Sequence, residues 1–113
     1  MSENRTESFA AERARLNEVV LKHAGTNMKR FWALDHQAYQ DGALPAKSKE
    51  LLGLVASLVL RCDDCVTYHV MQCHDAGVTT AELEETLNIG MLVGGSITIP
   101  HLRRAFAAWE ELQ

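Results

Sequence analysis

The sequence contains no run of lysine or arginine, and it carries a formal net charge of −4 with a pI near 5.7. A nucleic-acid binder would usually show a basic face, so that class is set aside. Long hydrophobic runs are missing too. The longest is Leu51 to Leu60, with Gly53 and Ser57 inside it, which is too short to cross a bilayer as a helix. Met1 to Glu7 is polar and charged and lacks the apolar core of a signal peptide. A cytoplasmic location is therefore expected. Cysteine is scarce, and its number, three, is odd; an odd count fits a disulfide framework poorly. In the cytoplasm a disulfide is more often catalytic or redox-sensing than structural. No stretch alternates in the manner of a strand bounded by turns, and there is no linker, internal repeat or low-complexity segment.

What is present reads as one small domain. The 113 residues are 47% hydrophobic and 23% charged, an ordinary balance for a globular protein. The expected fold class is all-α, a bundle of about six short helices. Residues 1–7 are expected to be disordered, with residues 8–113 forming the domain. Ser8 can cap a first helix over about 9–23, with Phe9, Leu16, Val20 and His23 as its apolar stripe and Gly25 after its end. Thr26 or Asn27 can cap a second helix, about 28–41, whose broad apolar side holds Phe31, Trp32, Leu34, Ala38 and Tyr39. Pro45 suits the first turn of a third helix, about 46–60. That helix is apolar all round after its first turn, which predicts burial on every side, by the bundle itself or with help from another subunit.

Arg61-Cys62-Asp63-Asp64 breaks the run and opens a fourth helix, about 63–76, with acids placed favourably in its first turn and Gly77 at its end. Thr79 and Glu82 form a capping-box pattern for a fifth helix over about 80–94, with Leu83, Leu87, Met91 and Val93 inward. Gly90 and Gly94 would allow another helix to approach closely. A last helix, about 97–111, follows Gly94-Gly95.

The chemistry concentrates between Glu50 and His69. Cys62 and Cys65 form a CxxC pair, and His69 follows four residues later. If Cys62 opens a helix, the spacing i, i+3, i+7 puts both sulfurs and the imidazole on one face. Two thiols one turn apart can form a disulfide and be reduced again, and a histidine one turn on can move their protons. The helix start favours thiolate. Glu50 lies in the preceding helix; if the two pack as a hairpin, its carboxylate can approach His69 and orient or deprotonate it.

Other readings compete. Cysteines in apolar helices are often simply small buried residues. CxxC followed by His also has metal-ligand spacing, but Cys62 and Cys73 would be separated by roughly 16 Å of helix rise, so a zinc site would need outside ligands such as His36 or His101. A thioredoxin-like fold would place its CxxC after a strand, and no strand is visible. Cys73 is expected to be packed inside, with His74 and His101 at the surface or an interface.

The pattern Glu50, Cys62, Cys65, His69 resembles the alkylhydroperoxidase D-like (AhpD-like) branch of the carboxymuconolactone decarboxylase family, whose motif is E-x11-C-x2-C-x3-H. Gly42 through Lys49, Ala76-Gly77-Val78 with Thr80 to Glu85, and Met91 to Gly95 extend the similarity over roughly residues 30–110. The resemblance implies an all-helical homo-oligomer, a trimer or hexamer, and a thiol peroxidase (peroxiredoxin-type activity). In that chemistry one cysteine attacks a hydroperoxide and the other resolves the sulfenic acid as a disulfide. Carried over, Cys65 attacks, Cys62 resolves, and His69 and Glu50 relay protons. No metal or organic cofactor is implied; a dithiol reductant such as a dihydrolipoyl group is.

Two points set this chain apart. The best-known members of the branch carry a histidine directly before the second cysteine, where this chain has Asp64, and a carboxylate there opposes thiolate formation. The family's decarboxylases lack the cysteine pair, so lactone decarboxylation fits poorly. Two rival functions use the same residues: a non-enzymatic redox sensor or interaction module, and a metal-binding helical protein.

Overall fold

The computed structural model describes residues 4–113, and among them there are helices and no strands. The helices are α1 (Arg5–His23), α2 (Thr26–Ala38), α3 (Ala46–Val59), α4 (Asp63–Asp75), α5 (Thr80–Gly94) and α6 (Ile99–Leu112), with a 3-10 turn at Ser96–Thr98. The all-α bundle of six helices is what the periodicity implied.

Local signals account for most of the boundaries. The Thr79–Glu82 capping box is formed in both directions and starts α5 where expected. Pro45 sits immediately before α3 with an extended backbone, while Asp41 Oδ1 accepts from the Ala46 N–H at 2.7 Å and supplies the missing cap. The first helix begins earlier than Ser8. Asn4 caps it, its side chain accepting from the Glu7 N–H, so residues 4–7 are ordered into the helix start. The part of the expected disordered segment at residues 1–3 lies outside the described residues. Gly25 caps α2 rather than ending α1, and α2 stops at Ala38, three residues before the expected end.

The core belongs to α3, α4, α5 and α6. Leu54 and Leu58 of α3 meet Val66, Val70 and Cys73 of α4, Leu83 and Leu87 of α5, and Ala105, Ala108 and Trp109 of α6. Trp109 donates its indole N–H to Thr80 Oγ1 at 2.9 Å, satisfying the polar atom of a buried ring. Gly90 lets α5 close on α3: a Cβ there would meet Leu58 Cδ2 at 2.8 Å.

Of the two covers expected for the third helix, the bundle of one protomer is not sufficient, because Leu52 and the following Leu60 are exposed. Val93, expected inward, also faces out, while Leu83 and Leu87 face in. A helix of this size in a bundle has only one stripe in reach of its neighbours, and apolar residues off that stripe remain uncovered.

The turn between α3 and α4 positions the chemistry. The Arg61 N–H bonds Leu58 O and the Cys62 N–H bonds Ser57 O, a Schellman end to α3. The residue that must be left-handed is Arg61, with φ 60°, where glycine is usual. The same end on α4 uses Gly77, with φ 82°. The reversal at Arg61 delivers Cys62 directly to the N-cap of α4 and turns α4 back along α3.

Candidate active site

Cys62 and Cys65 are joined as a disulfide, with Cα atoms 5.2 Å apart. Cys62 is the N-cap of α4, and its sulfur accepts from the Cys65 N–H at 3.3 Å. The free amides of a helix N-terminus favour negative charge, which is the condition a reactive thiolate needs once the disulfide is reduced. Asp63 and Asp64 occupy the first turn. Asp63 is tied down: its carboxylate meets His101 Nδ1 and Arg104, each at 2.7 Å, and so links the start of α4 to α6. His101 is therefore half-buried in a polar contact. Asp64 is exposed and lines the cavity beside Cys65.

Two turns into α4, His69 is buried. Its Nδ1 lies 2.9 Å from Glu50 Oε1 on α3, and Glu50 is buried too. An ionised carboxylate only accepts, so Nδ1 donates to it and Nε2 is left as an acceptor facing the other way. Side by side, α3 and α4 bring together residues nineteen apart in sequence. Cys65 and His69 share a cavity of about 720 Å³, walled on one side by α1 through Phe9, Arg13 and Leu16. Cys65 is exposed; Cys62 is half-buried and does not line that cavity.

Residues outside the motif complete the site. Tyr39, which caps the C-terminus of α2, places its hydroxyl 3.5 Å from His69 Nε2. Tyr68 packs edge-on to the same imidazole, and the Arg13 guanidinium lies 4.0 Å over its ring. Burial, with the charge of Glu50 nearby, holds both phenols above the ordinary tyrosine value; at Tyr68 Arg13 works against that rise. Gly53 of α3 lies against the pair: a Cβ there would come within 2.6 Å of both His69 Cε1 and the Tyr39 hydroxyl. The sequence assigned Tyr39 to an apolar helix face and gave Gly53 no role. A glycine inside a helix costs roughly 1 kcal/mol relative to alanine, and that was the available signal.

The remaining candidates lie apart. His36 lines a neighbouring cavity of about 520 Å³ with Trp32, Tyr39 and Glu50. Cys73 is fully buried, and burial pushes its thiol up to about 12, which makes it inert packing. His74 stacks edge-on against Trp109. Among the described residues no three His, Cys, Asp or Glu side chains converge as metal ligands would, and no helix is long and apolar enough to cross a membrane.

An all-helical bundle with a CxxC disulfide at a helix start and a buried Glu–His pair behind it defines a recognisable class. The sequence model of the carboxymuconolactone decarboxylase family matches residues 26–111, and the chain belongs to that family. A Thermotoga maritima protein is 52% identical, with a TM-score of 0.92 over 94% of this chain and 93% of its own. A second structure from that organism, 51% identical with a TM-score of 0.89 over 93% and 89%, is described as a carboxymuconolactone decarboxylase family protein with a suggested involvement in antioxidative response. A Legionella pneumophila member of the family is 25% identical, with a TM-score of 0.88 over 97% and 98% of the two chains. An uncharacterized Cupriavidus necator protein is 34% identical over 85 residues, 75% of each chain.

Proposed function

We propose that this protein is a thiol-dependent peroxidase that reduces hydroperoxides through the Cys62–Cys65 pair. The observation that carries the reading is the placement of Cys65: exposed, at a helix start, in a cavity it shares with an imidazole whose far nitrogen is held by a buried carboxylate. Reduced Cys65 attacks the terminal oxygen of a hydroperoxide. The O–O bond breaks, leaving a Cys65 sulfenic acid and an alcohol. Cys62 then attacks the Cys65 sulfur, water leaves, and the disulfide forms. A dithiol such as a dihydrolipoyl group returns it to two thiols. His69 accepts the thiol proton, with Glu50 orienting the ring and stabilising the imidazolium. The antioxidative description of the Thermotoga maritima relative supports the same reading.

A cytoplasmic homotrimer or homohexamer is part of this proposal. Apolar residues left open on one protomer support it: Phe31 is 68% exposed, Leu92 70% and Leu60 77%. Large apolar side chains this exposed are available for another protein to cover.

The test is turnover. Purified protein with excess dithiol should consume an alkyl hydroperoxide well beyond one equivalent and run as an oligomer in sedimentation at micromolar concentration. Oxidation of one equivalent that then stops, despite reductant, would favour a redox sensor. A folded monomer would remove the assembly from the proposal.

A further inference from the structure

We infer that Tyr39 is a proton donor of the site, the group that delivers a proton to the oxygen leaving from the hydroperoxide. The inference rests on the peroxidase reading and adds a residue that lies outside the Glu–Cys–Cys–His motif.

The geometry is specific. The Tyr39 hydroxyl faces His69 Nε2 at 3.5 Å, on the opposite side of the ring from Glu50, and Tyr39 lines the same cavity as Cys65. At 3.5 Å the contact lies at the long limit of a hydrogen bond, and catalytic hydrogen bonds tighten in the complex with substrate. The α2 helix itself has no buried residue, yet Tyr39 at its end turns inward and is half-buried. The α3 backbone also makes room for it. Gly53 is the only residue type that leaves the phenol and the imidazole in place, because any Cβ would strike both. Two helices are thus shaped around one contact. A phenol is protonated at neutral pH, as a donor must be, and burial moves Tyr39 further in that direction.

The Cys65 thiol proton passes to His69 Nε2. The thiolate sulfur forms a bond to the terminal peroxide oxygen while the O–O bond breaks, and the electron pair leaves on the alkoxide. The Tyr39 hydroxyl gives its proton to the alkoxide, and the imidazolium Nε2–H restores the phenol. The net change is one thiol and one hydroperoxide converted to one sulfenic acid and one alcohol; the sulfur is oxidised and the peroxide reduced. An alkoxide is a poor leaving group and needs that proton. A carboxylate, which leaves from a peroxycarboxylic acid, does not.

That contrast supplies the experiment. Rates of oxidation of the reduced protein by tert-butyl hydroperoxide and by peracetic acid are compared between wild type and Tyr39→Phe. Iodoacetamide alkylation of Cys65 is followed in a Cys62→Ser background, and Tyr68→Phe serves as control. Tyr39→Phe should slow the alkyl hydroperoxide on the order of 10²-fold and leave peracetic acid and alkylation within about twofold, while Tyr68→Phe leaves the ratio of the two oxidants unchanged. Equal losses with all three reagents would mean that Tyr39 only positions His69, and unchanged rates would mean that it does nothing; either overturns the inference. A selective loss in Tyr68→Phe instead would move the role to that residue. Wild-type protein inert to both oxidants would show the failure to lie in the peroxidase reading itself.

Discussion

The α3–α4 hairpin and the α1–α2 pair use the same kind of helix and meet at one cavity, which α4 lines from the first pair, but they are held in very different ways. Of the α3–α4 residues, Glu50, Leu54, Ser57 and Leu58 are buried on one helix and Val66, His69, Val70 and Cys73 on the other. On α1 Thr6 is the one buried residue described, and α2 has none. The first pair carries groups whose geometry must not drift: the disulfide, the imidazole and the carboxylate. The second supplies the cavity wall, Arg13 over Tyr68, and a phenol that reaches in from a helix end. A fixed constellation of side chains needs close packing, whereas a cavity wall needs only to be near it.

The strongest way to break this division is at the sulfurs. Cys65→Ser should abolish the reaction with hydroperoxide. Cys62→Ser should instead accumulate a sulfenic acid that dimedone labels. Labelling of the Cys65→Ser variant, and not of Cys62→Ser, would reverse the two roles.

Next comes Glu50. Glu50→Gln keeps the size but removes the charge that orients the imidazole, and peroxide oxidation should fall on the order of 10²-fold. It should also destabilise the protein by about 2 kcal/mol, since the His69 contact is buried. Arg13→Ala, in the cavity wall, should change stability by less than about 0.5 kcal/mol and affect mainly KM. If the two variants behave alike in denaturant titration and kinetics, the contrast between packed chemistry and loose wall is wrong.

A smaller effect separates the regions by pH. Cys73 ionises near pH 9.0 in the unfolded chain but only at about 12 in the fold. Between those values the unfolded state binds fewer protons, so stability falls as pH rises. The contribution is complete below pH 9 and lost as pH climbs towards 12. Its slope is at most about 1.4 kcal/mol per pH unit. Urea unfolding between pH 8 and 11 should show a shallower decline in Cys73→Ala; an unchanged slope would mean that the thiol reaches solvent.

The smallest effect belongs to Asp64. Where a histidine could stand before Cys65, this chain has an exposed carboxylate, and a like charge beside a thiol would disfavour its thiolate. Asp64→Asn should speed iodoacetamide alkylation a few-fold near neutral pH, a gain limited because nucleophilicity falls as the thiol becomes more acidic. An unchanged rate would mean that the carboxylate acts elsewhere, for instance on the helix start alone.

The helices with strong punctuation were the most legible. The capping box placed α5 and Pro45 placed α3, because both devices act within a few residues. The start of α1 was misplaced because Asn4 and Ser8 are both capable caps, and local chemistry does not choose between them. Which side of α3 the bundle covers was not legible, because apolar content says nothing about how many neighbours a helix has within one protomer.

At the site the same boundary holds. The sequence by itself determined the CxxC at a helix start, the imidazole one turn past its second cysteine and the carboxylate on the helix before, since helical periodicity and the break in the apolar run at Arg61 dictate those relations. It did not determine which sulfur meets the cavity, that Asp63 rather than Asp64 binds His101 and Arg104, or that Tyr39 and Gly53 belong with His69. Tyr39 and His69 are thirty residues apart, on helices with no shared register. Only the packing of the whole bundle sets the distance between them, because no local rule links the end of one helix to the middle of another.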